Sequence, residues 1–137
     1  MTSLAAINSN RTSRQGLFAT KSMSSSDRSR RLRDILENIA RIRSYMRSVG
    51  APELAADRKT QDAVERCLER ICEAARKLGD SLDAKYPEVE FDKLRQLGSV
   101  LRHDYDDIDK DMLWRSVTER LDPLEHACRR ELADAPQ

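Results

Sequence analysis

Apolar residues recur at intervals of three and four along most of this chain, which is the spacing of one buried face of an α-helix. The pattern predicts a first helix from Ser26 or Asp27, its N-cap, to about residue 49, just before Gly50. It predicts a second helix from Thr60, its N-cap, to Gly79. We expect these two helices to pair antiparallel.

Two further helices are predicted after the Tyr-Pro pair at 86–87. The third runs from about 88 to 102 and contains Gly98, which should interrupt it because glycine costs about 1 kcal/mol relative to alanine inside a helix. A close contact with another helix would be a reason for a glycine at this position. The fourth begins after Asp109 as N-cap and contains Pro123, which predicts a kink or break near residue 122. The sequence therefore predicts an all-α, four- to five-helix bundle.

The first 26 residues lack this periodicity and contain no acidic residue, so we expect a disordered N-terminal extension over 1–26 and a single helical domain over 27–137. A leader rich in Arg and Ser is also typical of transit peptides. Because Met23 precedes a good helix start, residues 1–22 could equally be a start-site artefact or a dispensable extension.

Composition narrows the class further. Charged residues make up 36% of the chain and aromatic residues 4%, a balance typical of solvated helices. Cys67, Cys72 and Cys128 lack metal-type spacing. Cys67 and Cys72 fall on or beside the apolar stripe of the second helix, which indicates buried thiols in a reducing compartment. No apolar run approaches the roughly 20 residues of a membrane span, so we expect a cytoplasmic protein without membrane contact. The acidic run at 104–109 lacks the spacing of a calcium loop, and we predict no metal and no cofactor.

Candidate chemistry concentrates where the third helix ends. His103 is one of two histidines, and histidine exchanges protons near neutral pH. A histidine followed by aspartates is also typical of a solvated helix end. Glu69 and Glu73 lie one turn apart on the second helix and could face His103, although such pairs more often face solvent.

Several segments together resemble the HepT-like group of the HEPN superfamily. They are Arg-Leu-Arg-Asp-Ile-Leu-Glu-Asn-Ile-Ala-Arg-Ile at 31–42, Thr-Gln-Asp-Ala-Val-Glu-Arg-Cys-Leu-Glu at 60–69, Glu-Ala-Ala-Arg-Lys-Leu at 73–78, Val-Leu-Arg-His-Asp-Tyr at 100–105 and Leu-Trp at 113–114. The resemblance implies a helical bundle that forms a homodimer. It also implies a toxin with metal-independent endoribonuclease activity on RNA, paired with a nucleotidyltransferase antitoxin.

The signature of that group is Arg, four residues, His, one residue and Tyr, and here it is incomplete. His103 and Tyr105 match, but Gly98 stands at the position of the arginine and Ser99 at that of the asparagine that usually follows it. In one interpretation Arg95 or Arg102 supplies the missing cation, with Ser99 a further candidate phosphate contact. In the other, the protein is a catalytically degenerate RNA- or partner-binding regulatory module.

Each of these candidates has a plainer explanation. Arg102 could belong to a solvated face, and Arg95 could pair with Asp92 on the same helix.

For Tyr105, the resemblance implies adenylylation, because the partner nucleotidyltransferase of the group transfers AMP to this tyrosine. A bulky, anionic nucleotide there would obstruct an RNA phosphate.

Overall fold

The structure is a computed structural model that describes residues 23–103 and 109–135. Every regular element in these residues is helical, which confirms the predicted all-α bundle. The helices are α1 (Ser25–Tyr45), α2 (Ala51–Ala56), α3 (Arg58–Leu78), α4 (Phe91–His103), α5 (Lys110–Arg115) and α6 (Leu121–Asp134), with a short 3-10 helix at Pro87–Val89 and a π-helical segment at Ser116–Arg120.

Helix α1 begins slightly earlier than the sequence predicts. Ser24 is its N-cap, and the Ser24 hydroxyl accepts a hydrogen bond from the backbone N–H of Asp27 at 3.1 Å. Residues 25 and 26, which the sequence assigned to the extension, therefore belong to the helix. Met23 and Ser24 were assigned to the extension as well, but Met23 packs against the core and Ser24 caps the helix. The prediction for residues 1–22 falls outside the described part of the chain.

The start of α3 corrects a second boundary. Asp57 caps this helix: its carboxylate accepts hydrogen bonds from the Thr60 backbone N–H at 3.3 Å and from the Thr60 hydroxyl at 2.7 Å. The prediction of Thr60 as N-cap was wrong because aspartate and threonine are both good caps and the earlier one is used. The short helix α2, which the sequence did not predict, fills the space between Gly50 and Asp57.

One hydrophobic core holds the helices together. Helix α1 packs most extensively on α3, which also packs on α4, while α6 packs on α1. Arg28 at the start of α1 donates to the Ser81 hydroxyl just beyond α3 at 3.1 Å, so α1 and α3 are antiparallel as predicted. The most completely buried large side chains come from α1, α2, α3, α5 and α6: Leu32, Ile35, Ile39, Ile42, Leu54, Val64, Leu68, Ile71, Leu113, Leu121 and Leu124.

The fourth predicted helix is divided by a π-helical segment rather than by a break at residue 122. Pro123 is the third residue of α6, which follows the π-helical segment without a gap. Its ring would crowd the carbonyl of the preceding turn, and the wider π-helical turn at Ser116–Arg120 lies directly before α6.

Glu131 joins three parts of the chain at one end of the bundle. This carboxylate is 9% exposed and accepts hydrogen bonds from Arg28 at 2.9 Å and from the Tyr86 hydroxyl at 2.7 Å, and Lys85 pairs with it at 2.7 Å. Burial alone would raise the pKa of Glu131, but its bonds to Lys85, Tyr86 and Arg28 outweigh burial and lower the pKa to about 2. The cluster fixes α6 against α1 and the loop before α4.

None of the described helices combines the length and the apolar character that crossing a membrane requires.

Candidate active site

An open groove of about 660 Å³ lies between α1, α3 and the C-terminal half of α4. It forms because the polar faces of α1 and α3 diverge beside their apolar contact, and α4 closes one side. Arginines outnumber acidic residues along it, five to four. Its lining residues are Arg31, Asp34, Glu37, Asn38, Arg41, Arg66, Glu69, Arg70, Glu73, Ala74, Gly98 and Arg102.

Gly98 lies where α4 approaches α3 most closely. A Cβ placed on Gly98 would lie 2.8 Å from the Cβ of Cys72, closer than real Cβ atoms come to their neighbours. Helix α4 continues through Gly98, so the predicted interruption was wrong, and the glycine is buried in a helix contact instead. The position that carries arginine in the HepT-like signature has no room for a side chain here.

Arg102, one turn further along α4, covers this position. Its Nη1 lies 3.4 Å from the place that a Cβ on residue 98 would occupy, so its guanidinium folds back over Gly98 into the groove. Although burial raises the pKa of the Cys72 thiol to about 12, Arg102 acts in the opposite direction on it. A cation therefore lies beside the position where the signature places one, but it comes from a different residue.

Glu69 and Glu73 face the same groove as Arg102, as the sequence allowed. Glu73 accepts two hydrogen bonds from Arg76, at 3.0 and 2.8 Å, and these lower its pKa, with smaller contributions from Lys77 and Arg102. Glu69 pairs with Arg66 at 3.3 Å. Both carboxylates hold neighbouring arginines in place.

The histidine lies at the edge of this arrangement. His103 directly follows Arg102 as the last residue of α4, and it is exposed. Ser99 is exposed too, and neither residue lines the groove. Tyr105 lies outside the described residues.

Arg95 has a different role from the one considered for it. Its guanidinium donates to the Asp83 carboxylate at 2.6 and 3.2 Å and to the Gly79 carbonyl at 3.1 Å, and the bond to Asp83 raises its pKa. These contacts attach α4 to the C-terminal end of α3. In the described part of the chain Arg95 forms no ion pair with Asp92, so that expectation was wrong, and Arg95 does not line the groove.

Of the lining residues on α1 and α3, the sequence singled out Glu69 and Glu73 alone. Those that it missed include four arginines and an asparagine: Arg31, Arg41, Arg66, Arg70 and Asn38. The arginines fall on polar faces that alone indicate only solvation. Asn38 gave a clearer signal, because it occupies a position three residues after Ile35 and four before Ile42, on the apolar stripe. A polar residue there is 5% exposed and needs hydrogen-bond partners.

Among the residues that the structure describes, no group of three or more His, Cys, Asp or Glu side chains could hold a metal ion.

The helical bundle with an arginine-lined groove and a histidine at its edge fits the class of helical ribonucleases that the sequence resembles. The sequence model of one family, described as "Ribonuclease HepT-like", matches residues 35–131. The chain belongs to this family.

Individual relatives also have names that describe them as ribonucleases. A protein of Thermococcus cleftensis named "Probable ribonuclease HepT" is 32% identical over 93 residues, which cover 68% of this chain and 84% of that protein. A Methanocaldococcus jannaschii protein whose name describes it as an RNase is 36% identical over 90 residues, 66% of this chain and 74% of its own. A second one from the same organism is 31% identical over 86 residues, 63% of this chain and 71% of its own. No solved structure matches the chain significantly.

Proposed function

We propose that this protein is an endoribonuclease that cleaves RNA without a metal ion, with Arg102 as the phosphate-binding cation and His103 as the proton-transfer residue. The observation that carries the proposal is that the guanidinium of Arg102 folds over Gly98 into the groove. The family of the chain is one of ribonucleases. The signature arginine is absent, but a positive charge is available one helical turn away.

The chemistry explains what these two side chains would supply: Arg102 the cation, and His103 the proton acceptor or the proton donor. The ribose 2′-hydroxyl loses its proton and its oxygen forms a bond to the adjacent phosphorus, while the bond from phosphorus to the 5′-oxygen breaks and that oxygen gains a proton. The reaction needs a proton acceptor, a proton donor and a cation for the charge that develops on phosphate. Histidine exchanges protons near neutral pH, and the planar guanidinium of arginine can donate two parallel hydrogen bonds to a phosphate.

The test is cleavage of a single-stranded RNA in EDTA by the wild type and by Arg102→Ala. Loss of one group that stabilises transition-state charge typically lowers a rate by about 10²- to 10³-fold, and we expect a loss of that order. Arg102→Lys should retain part of the rate, because lysine keeps the charge but not the two-point contact. Arg58→Ala is the matched control, since Arg58 is 84% exposed and lies outside the groove.

Three results would contradict the mechanism: full activity of Arg102→Ala, full activity of His103→Ala, or a requirement for Mg²⁺. A wild type that binds RNA but does not cleave it would favour the alternative function, a catalytically degenerate regulatory module. The glycine at position 98 favours that alternative, since the signature cation is missing from its usual place.

The biological setting of the proposal rests on the resemblance. It is that of a cytoplasmic homodimeric toxin whose partner is a nucleotidyltransferase antitoxin. That partner would silence the toxin by adenylylation of Tyr105, two residues after the exposed His103. Ser99 stays a candidate contact for phosphate.

A further inference from the structure

Asn38 has an unused hydrogen-bond acceptor on the wall of the groove. The residue is 5% exposed, and its Nδ2 donates to the Asp34 carbonyl at 2.9 Å, which fixes which end of the amide is the nitrogen. Within residues 23–103 and 109–135 its Oδ1 is buried and has no hydrogen-bond partner. Buried polar atoms in native proteins are almost always paired, so an unpaired one beside a groove requires a partner from outside the chain, either a water or a ligand.

A second unpaired polar atom lies on the same wall. Arg31 is two turns earlier on α1, and its Nε is buried without a partner among the described residues. Its only ion pair there, with Asp34, is long at 3.7 Å. The α1 side of the groove thus presents a spare acceptor and a spare donor, while Arg102 and Arg70 extend from α4 and α3.

The chemistry of an amide oxygen limits what can bind it. It accepts hydrogen bonds only, and a phosphodiester has no hydrogen to donate. Its partner must be an N–H or an O–H, and the nucleobases differ in where they carry one on the pairing edge: an exocyclic amino group in A and C, a ring N–H in U, and both in G. Bases of single-stranded RNA are free to turn that edge toward a protein.

We infer that Asn38 is a specificity-determining residue that accepts a hydrogen bond from a base of the bound RNA, while the guanidinium groups across the groove bind its phosphates. The inference rests on the proposed function for its choice of ligand, but not on cleavage. It explains why an amide whose acceptor has no partner occupies a position on the apolar stripe of α1.

The test measures binding and not cutting. In a His103→Ala background, the affinities for single-stranded oligomers of A, C and U, and for an abasic strand of equal length, are compared by fluorescence anisotropy. We expect the protein to discriminate among the bases. Asn38→Leu should reduce that discrimination about five- to tenfold, the value of one hydrogen bond, and leave the affinity for the abasic strand unchanged.

Thermal unfolding separates this role from a structural one. Because the Asn38 acceptor is unpaired in the protein alone, Asn38→Leu should keep or raise the melting temperature. Gln61 is the matched control: it is 7% exposed, and its amide nitrogen donates to the Leu54 and Ala55 carbonyls at 2.7 and 3.1 Å. Gln61→Met should lower the melting temperature and leave base discrimination intact.

Unchanged discrimination in Asn38→Leu would overturn the inference. So would an equal loss of affinity for every strand including the abasic one, which would indicate a contact with the ribose 2′-hydroxyl. A wild type that binds with base preference but never cuts would refute the nuclease and leave this inference standing. If the wild type and Asn38→Leu cut RNA at the same sites, the nuclease would stand and this inference would be refuted.

Discussion

Replacing Gly98 by alanine should destabilise the bundle even though alanine is the better helix former. Inside a helix the exchange gains about 1 kcal/mol. Against this, the new Cβ would lie 2.8 Å from the Cβ of Cys72, so α3 and α4 would have to separate by several tenths of an ångström. Overpacking of a closely packed core costs about 1–3 kcal/mol. We expect a net loss of about 1 kcal/mol in the free energy of unfolding.

Urea unfolding followed by circular dichroism measures this loss as a lower midpoint at unchanged slope. A double-mutant comparison identifies its cause. The close contact is with the Cβ of Cys72, whereas its Sγ lies at an ordinary 3.8 Å. Cys72→Ala should therefore leave the cost of Gly98→Ala unchanged, and Cys72→Gly should reduce it. A Gly98→Ala protein as stable as the wild type, or more stable, would refute the close helix contact.

Three further results are expected. Glu131→Gln should lower the free energy of unfolding by about 1–2 kcal/mol at pH 7, less than the full pKa shift implies because Lys85 is 54% exposed. Since the pKa of Glu131 falls from 4.5 to about 2 on folding, the difference from wild type should persist above pH 4.5 and vanish as the pH falls to about 2. An equal difference at pH 7 and pH 2 would contradict this prediction. Light scattering should give about twice the chain mass, and a value near 15.7 kDa at micromolar concentration would exclude the homodimer. Incubation with the cognate nucleotidyltransferase, ATP and Mg²⁺ should add AMP to the peptide that contains Tyr105, and equal labelling of Tyr105→Phe would refute that assignment.

The fold could be predicted because the apolar stripes are long and regular. Leu32, Ile35, Ile39 and Ile42 are all buried, as their spacing indicates. The boundaries depend on local competition that the pattern does not resolve. Asp57 and Thr60 are both suitable caps, and the six-residue helix α2 carries a single buried apolar residue, Leu54, too little for a periodic signal.

The sequence could predict the candidate site only where its residues lie close together along the chain. The motif pointed to His103 and to the missing arginine, but which of Arg95 and Arg102 lines the groove depends on partners distant in sequence. Arg95 is bound by Asp83 and the Gly79 carbonyl, and Arg102 by neither. No spacing rule contains that information, because it arises where the C-terminal end of α3 meets α4.

Gly98 links packing and function. Glycine at position 98 takes the place of the signature arginine and also lets α4 lie close against α3. Because this glycine has no side chain, the guanidinium of Arg102 can fold over it. Any side chain at position 98 would press on Cys72 from one side and on Arg102 from the other. Restoring an arginine at 98 would therefore compete with Arg102 for one place and open the helix contact beneath it. The position of the Arg102 guanidinium and the spacing between α3 and α4 thus both depend on the glycine at position 98, so a substitution there changes them together.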